Sequence, residues 1–226
     1  MGVFRNADLV ILDTTFLQTL DRENILSGYA EMLKHSLISD ERMWAELIEN
    51  GALRIENYDY PAHPSSGPES NHNSPFSILN SQLQSNVAVK QRIVLEDPTE
   101  HGIRKALNLG HTAGHAFESF AMRRQPVLHG YAVAWGIIVE LYLSVVKTGF
   151  PTDRMRQTVS FIKEHYGKMA ITCNDYPELI ELMHHDKKNT GSTINFTLLG
   201  GIGDIRINQI ATEDEIKEAL DFYQDC

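Results

Sequence analysis

The chain has 226 residues, 42% of them hydrophobic, which is room for one large domain or two small ones. Its 20 Lys and Arg against 30 Asp and Glu leave a formal net charge of −10, which argues against a protein that grips nucleic-acid phosphates. The longest apolar tract, Ala132 to Val146, is broken by Glu140 and is shorter than the ~20 residues a bilayer core requires, and the amino terminus lacks a leader pattern, so no membrane span is expected and the chain reads as cytoplasmic.

The first element is a strand candidate, Asp8 to Leu12, ending at the turn-prone Asp13-Thr14. Ile25, Tyr29, Met32, Leu33 and Leu37 recur at helical spacing over Asp21 to Ser39, and a second helix is expected over Asp40 to Asn50. Residues 59–77 hold Pro61, Pro64, Pro68 and Pro75 among Ser, Asn and His, and read as a flexible loop. A helix over Phe76 to Leu95 follows, with Ile78, Leu79, Leu83, Val87 and Val94 sharing an inner face with one polar exception, Lys90. After the turn-prone EDPTEHG come helices over Lys105 to Met122 and Gly130 to Thr148, the second apolar all round and so a core helix. Thr152 to Tyr166 and Pro177 to His184 complete the middle of the chain. Cys173 and the terminal Cys226 form neither a disulfide framework nor a metal or redox motif. Ser192 to Leu199 is the second strand candidate, and Thr212-Glu213-Asp214-Glu215 is a capping box opening a last helix. The expected fold is mainly α: a helical bundle of about seven or eight helices with two or three short β-strands. No G-x-G-x-x-G unit or P-loop occurs, so these residues encode no dinucleotide site.

Chemistry concentrates in Asn108-Leu109-Gly110-His111-Thr112-Ala113-Gly114-His115, with Glu118 and His129-Gly130 beyond it. His111 and His115 share a helix face at i, i+4, and His129 opens the next helix, so three imidazoles can converge as a Zn²⁺ site does. Paired histidines are also common on solvated helices, but Gly110 and Gly114 are costly in a helix and imply close approach of another backbone or a ligand. Thr112 stands where the zincin motif needs Glu, which excludes a metalloprotease of that type. Glu31 lies among apolar residues with Lys34 on the same face, either as a fourth site group or as an ordinary i, i+3 ion pair. Lys90 is either a site residue or a snorkelling stem, and Asp97, Glu100, Arg104 and Asn108 are either a site or a solvated helix start. The Lys187-Lys188 pair is open in the same way.

Taken in order, Gly28 to Lys34 (GYAEMLK), Asp97 to Asn108 (DPTEHGIRKALN), Asn108 to Glu118 (NLGHTAGHAFE), Leu128-His129-Gly130 with Ala132-Val133-Ala134, and Asp186-Lys187-Lys188 resemble the carboxy-terminal part of the 3-dehydroquinate synthases. The resemblance implies a lyase of the shikimate pathway of aromatic amino-acid biosynthesis. The reaction it implies turns 3-deoxy-D-arabino-heptulosonate 7-phosphate, a sugar-acid phosphate, into 3-dehydroquinate with loss of phosphate. It also implies the ligand set Glu31, His111 and His129 for Zn²⁺ or Co²⁺, and a homodimeric full-length enzyme using NAD⁺. By the same resemblance Lys34 contacts substrate and His115 handles a proton and the phosphate. Lys90, Arg104 and Asn108 hold the substrate carboxylate and its neighbours, Glu100 supports them, and Lys187 or Lys188 reaches the phosphate.

Residues 1–20 resemble the last strand and linker of an NAD-binding domain, with residues 21–226 as the helical metal- and substrate-binding domain. About half of the family's length is missing ahead of Met1, so the chain is expected to fold without turning over. Tyr131 stands where the family usually has Glu. Other readings are a related cyclase such as a 2-deoxy-scyllo-inosose synthase, an iron-containing alcohol dehydrogenase, and a non-catalytic metal-binding helical module. Arg104, Lys90 and Asn108 favour a carboxylate-bearing substrate.

Overall fold

The structure is a computed structural model that describes residues 8–56, 75–184 and 193–226. Among these residues the chain forms eight α-helices: α1 (Arg22–Leu37), α2 (Glu41–Glu56), α3 (Pro75–Glu96), α4 (His111–Met122), α5 (His129–Thr148), α6 (Thr152–Tyr166), α7 (Tyr176–His184) and α8 (Glu213–Asp225). One antiparallel hairpin, β1 (Asn195–Gly201) and β2 (Asp204–Ile210), lies between α7 and α8. The mainly α bundle with a small β element is therefore the fold observed.

Helix α5 is the axis. It is long and apolar enough by composition to cross a membrane, yet its residues from Ala132 to Leu141 are all buried, among α1, α4, α6, α8 and β1. A helix apolar on every side is stable only when it is covered on every side. Asp21 caps α1 by accepting from the Asn24 amide at 2.8 Å, and Leu26, Tyr29, Ala30, Leu33 and Leu37 then face α5 and its neighbours.

Three glycines let helices approach to backbone contact. A Cβ at Gly136 of α5 would strike the Gly110 carbonyl and the Gly114 amide, and one at Gly114 would lie 3.1 Å from the Ala132 carbonyl. A Cβ at Gly130 would strike the backbone of Ser27, whose hydroxyl instead accepts from the Gly130 amide at 3.0 Å. Gly130 thus seats the start of α5 against α1, and Gly136 seats α4 against α5.

Several expectations are corrected. Residues 8–13 form no strand: a strand needs a ladder partner, none pairs with them among the described residues, and Leu9 (76%) and Ile11 (78%) are exposed. The helix expected over Lys105 to Met122 is two elements, a 3₁₀ segment Ile103–Asn108 and α4, because Gly110 adopts φ 77° and interrupts the helical path. Proline and neighbours expected in the 59–77 loop partly belong to α3, which opens at Pro75, a position that tolerates a missing N–H; the remainder of that loop lies outside the described residues, as do Lys187 and Lys188.

The core face of α3 is Asn86, Val89 and Ile93, so Lys90 is exposed and its stripe with Leu83, Val87 and Val94 lines a cleft instead. Strand β2 was not anticipated; its alternation of Ile205 and Ile207 with polar residues after Gly201-Ile202-Gly203 is the signal it carries. The hairpin braces the segment before α4: Thr197 Oγ1 donates to the Lys105 carbonyl at 2.8 Å, Lys105 Nζ to Asn208 Oδ1 at 2.8 Å, and Thr112 Oγ1 to the Asn195 carbonyl at 3.1 Å.

Candidate metal centre

Glu31 from the middle of α1, His111 at the first position of α4, His115 one turn on, and His129 at the first position of α5 converge at the crossing of three helices. One ligand-capable nitrogen from each histidine lies within 4.8 Å of the others. The imidazole centroids are 5.4 Å (His111–His115), 5.5 Å (His111–His129) and 5.9 Å (His115–His129) apart. Glu31 Oε1 stands 3.3 Å from His111 Nε2 and 4.0 Å from His129 Nε2.

Proton accounting shows what is missing between them. His111 Nδ1 is 3.0 Å from the Leu109 carbonyl, which can only accept, so with the ring proton on Nδ1 the Nε2 lone pair is available to a metal. His129 Nδ1 likewise lies 3.0 Å from an acceptor, Glu118 Oε2, with its Nε2 turned to the site. Burial pushes the His111 pKa below its ordinary value, against the pull of Glu31. Glu31 Oε2 is satisfied by Lys34 Nζ at 2.6 Å, but Oε1 is buried without a hydrogen bond. Burial alone would raise the Glu31 carboxyl; contact with His111 and the charge of Lys34 outweigh it and hold the group well below the usual carboxylate range. Two imidazole Nε2 atoms and one carboxylate oxygen thus face each other. A divalent cation satisfies all three at once, and nitrogen with carboxylate oxygen is the donor set that suits Zn²⁺ or Co²⁺. Acceptors behind the ligating rings, here Leu109 O and Glu118, are the arrangement that orients metal-bound imidazoles.

The i, i+3 pair anticipated between Glu31 and Lys34 therefore forms, and it occupies one oxygen while leaving the other for the site. Lys34 is itself buried. Lys90 lines, with Glu31 and His35, an adjoining cleft of about 720 Å³ between α1 and α3. Glu100 accepts from Asn108 Nδ2 at 3.3 Å, and its backbone sits at φ 62°, a left-handed conformation that costs a non-glycine residue on the order of 1 kcal/mol. Asp97 holds that loop by accepting from the amides of His101 (3.1 Å), Gly102 (2.7 Å) and Arg104 (3.0 Å). The Arg104 guanidinium donates to the Pro98 carbonyl at 2.8 Å. Five of the anticipated residues, Glu31, Lys34, His111, His115 and His129, are thus joined by side-chain contacts. Glu100 and Asn108 form a separate pair on the approach to α4.

Sequence reasoning did not single out Glu118 as the carboxylate behind His129, although it stands at a helical spacing of three from His115. It also passed over Glu140, a fully buried carboxylate that accepts from the amides of Gly110 (2.6 Å) and Ala113 (3.2 Å). Its signal was an acidic residue inside an otherwise apolar core helix.

The family model described as 3-dehydroquinate synthase C-terminal matches residues 28–189. A 3-dehydroquinate synthase of Parabacteroides distasonis is 50% identical over the whole chain, which spans 59% of that relative. A bifunctional 3-dehydroquinate synthase/phosphatase of Fusobacterium nucleatum is 32% identical over 99% of the chain, covering 31% of its own length. Among solved structures, a 2-epi-5-epi-valiolone synthase of Streptomyces hygroscopicus with NAD⁺ and Zn²⁺ bound superposes with a TM-score of 0.74 at 21% identity, over 94% of this chain and 54% of the other. A 2-deoxy-scyllo-inosose synthase complexed with carbaglucose-6-phosphate, NAD⁺ and Co²⁺ gives 0.66 at 19% identity, over 94% and 54%. At these identities the structural likeness speaks for the fold.

Proposed function

Because the chain belongs to the 3-dehydroquinate synthase C-terminal family, we propose that it is the metal- and substrate-binding part of an enzyme that converts 3-deoxy-D-arabino-heptulosonate 7-phosphate to 3-dehydroquinate and phosphate. The observation that carries this reading is the buried, unpartnered Glu31 Oε1 facing two imidazole Nε2 atoms whose Nδ1 atoms lie against acceptors. Glu31, His111 and His129 hold the ion, Zn²⁺ or Co²⁺. When bound, it supplies Lewis-acid stabilisation of charge developing on substrate oxygens.

The protein groups bind and orient. Lys34 balances the Glu31 carboxylate and offers N–H donors to a substrate hydroxyl at the same edge. Lys90, Arg104 and Asn108 face the carboxylate end of a sugar acid, where cationic and amide donors match a planar anion. Glu100 accepts from the Asn108 amide and so helps to position it. His115, beside the three-ligand set, takes and returns a proton at the phosphate end, and Lys187 or Lys188 contributes charge there. Held in this way, one substrate can undergo oxidation, elimination, reduction and ring closure without leaving, so positioning is much of the catalysis. NAD⁺ belongs to the same reading, as does a cytoplasmic homodimer.

The test is a Zn²⁺ and Co²⁺ titration of the purified chain. One equivalent of metal is expected, lost in Glu31→Ala, His111→Ala and His129→Ala and retained in His115→Ala. A wild-type chain that binds no stoichiometric metal would overturn the reading, and loss in His115→Ala would move that residue into the ligand set.

A further inference from the structure

We propose that Glu140 is a positioning residue for the metal centre, acting through the Leu109–Gly110 peptide on the tautomer and aim of His111; this rests on the metal reading above. An α-helix begins with amide protons that lack intrahelical acceptors, and they are usually satisfied by a side chain at the residue just before the helix and a Glu or Gln three positions in. Helix α4 has neither, because those positions are Gly110 and Ala113, and no local side chain caps it. Glycine is forced at 110 by its φ of 77° and by Ile137, whose Cγ1 would lie 2.5 Å from a Cβ. A capping side chain therefore cannot be attached there.

Glu140, reaching across from α5, does both jobs: Oε2 accepts from the Gly110 amide at 2.6 Å and Oε1 from the Ala113 amide at 3.2 Å. Those are the two protons that a capping box satisfies, here by one side chain from a different helix. The carboxylate is fully buried, so water offers no substitute acceptor.

The link to the metal centre is covalent geometry. The Gly110 N–H and the Leu109 C=O belong to one planar peptide unit. Glu140 holds the nitrogen side of that plane, and the oxygen side accepts from His111 Nδ1 at 3.0 Å. Fixing one side fixes the other, so the carboxylate on α5 keeps the carbonyl aimed at Nδ1 and the Nε2 lone pair aimed at Glu31 Oε1, 3.3 Å away. Successive hydrogen bonds along such a chain polarise one another, which makes the ring a better donor to a metal. The same contact ties the helix carrying His111 to the helix carrying His129.

Glu140→Gln keeps the size of the side chain but turns one acceptor into an NH₂ donor facing an amide N–H, so one of the two contacts is lost. We expect Co²⁺ affinity, followed by the absorption of the bound ion, to fall about tenfold or more. Long-range proton–nitrogen NMR of the apo chain should show His111 protonated on Nδ1 in wild type and a tautomer mixture in the variant. Tyr223→Phe, which keeps the ring against Phe117 and removes only a hydroxyl that accepts from the Met169 amide, controls for lowered stability and should leave metal affinity and tautomer unchanged.

Wild type that binds no cobalt defeats the metal reading; wild type and Glu140→Gln that bind it equally defeat this inference alone. Should Glu140→Gln not fold, the wild-type chain still decides. A through-hydrogen-bond coupling between the Gly110 amide nitrogen and the Glu140 carboxyl carbon, together with a His111 Nδ1 proton, is required, and the absence of either overturns the proposal.

Discussion

Glu31 divides its work between two oxygens: Oε2 pairs with Lys34 and Oε1 faces the imidazoles. The pair alone was readable from the spacing of the two residues, but a spacing cannot say which oxygen is left over. One turn along α1, His35 is buried with neither ring nitrogen hydrogen-bonded among the described residues. Burial, reinforced by the charge of Lys34 and partly offset by Glu31, lowers its pKa from 6.5 to about 4. Because the folded value lies below the unfolded one, the unfolded chain takes up the proton first. Stability is complete above the unfolded value and is lost as pH falls toward the folded one. Between pH 7 and pH 5 this single group should cost about 2 kcal/mol. Urea unfolding of the metal-free chain at the two pH values measures it, and His35→Leu should remove most of the slope; an equal slope in both proteins would count against the assignment.

At the scale of elements, the helices were legible because their apolar residues recur at the helical period; α1, α5, α6 and α7 begin and end within a few residues of expectation, and α8 opens at the expected capping box. What periodicity misread was the stretch before α4, where the apolar pattern runs on smoothly through the buried Ala106 and Leu109 while Gly110 turns the backbone left-handed. That break is what makes His111 the first residue of its helix, with its Nδ1 free to reach back to Leu109. The glycines themselves were read as places of close approach, and the approaching group proves to be the backbone of α5 at Gly114 and the Ile137 side chain, ahead of the Val133 carbonyl, at Gly110. Two helical glycines should accordingly respond in opposite ways to alanine. Gly136→Ala drives a methyl into the α4 backbone and is expected to cost about 3 kcal/mol, on the order of 10 °C in Tm, with metal affinity falling alongside. Gly28→Ala in α1 meets nothing within 4 Å and should stabilise by roughly 0.5–1 kcal/mol through helix propensity. Thermal unfolding by circular dichroism compares them, and similar Tm values for both variants would refute the close-packing account.

For the molecule as a whole, a 226-residue chain spanning 59% of its Parabacteroides relative carries a candidate metal centre but no glycine-rich dinucleotide motif. Loaded with Zn²⁺ and given NAD⁺ and the heptulosonate phosphate, it is expected to bind metal and release no phosphate over multiple turnovers; a continuous phosphate-release assay measures this, and sustained release would show that these residues suffice. Sequence by itself determined the residue types, their order and the local frames that carry them: a carboxylate in an apolar helix face, histidines at the openings of two helices, and glycines where backbones must touch. Those are properties of neighbours along the chain, set by period, capping and steric permission. Only the tertiary structure decided that Glu31 meets His111 and His129, that Glu118 stands behind one ring and the Leu109 carbonyl behind the other, and that a carboxylate from the middle of α5 completes the start of α4. The physical reason is that helix crossings are fixed by packing between residues remote in sequence, and the positions of protons follow from which acceptors those crossings bring within reach.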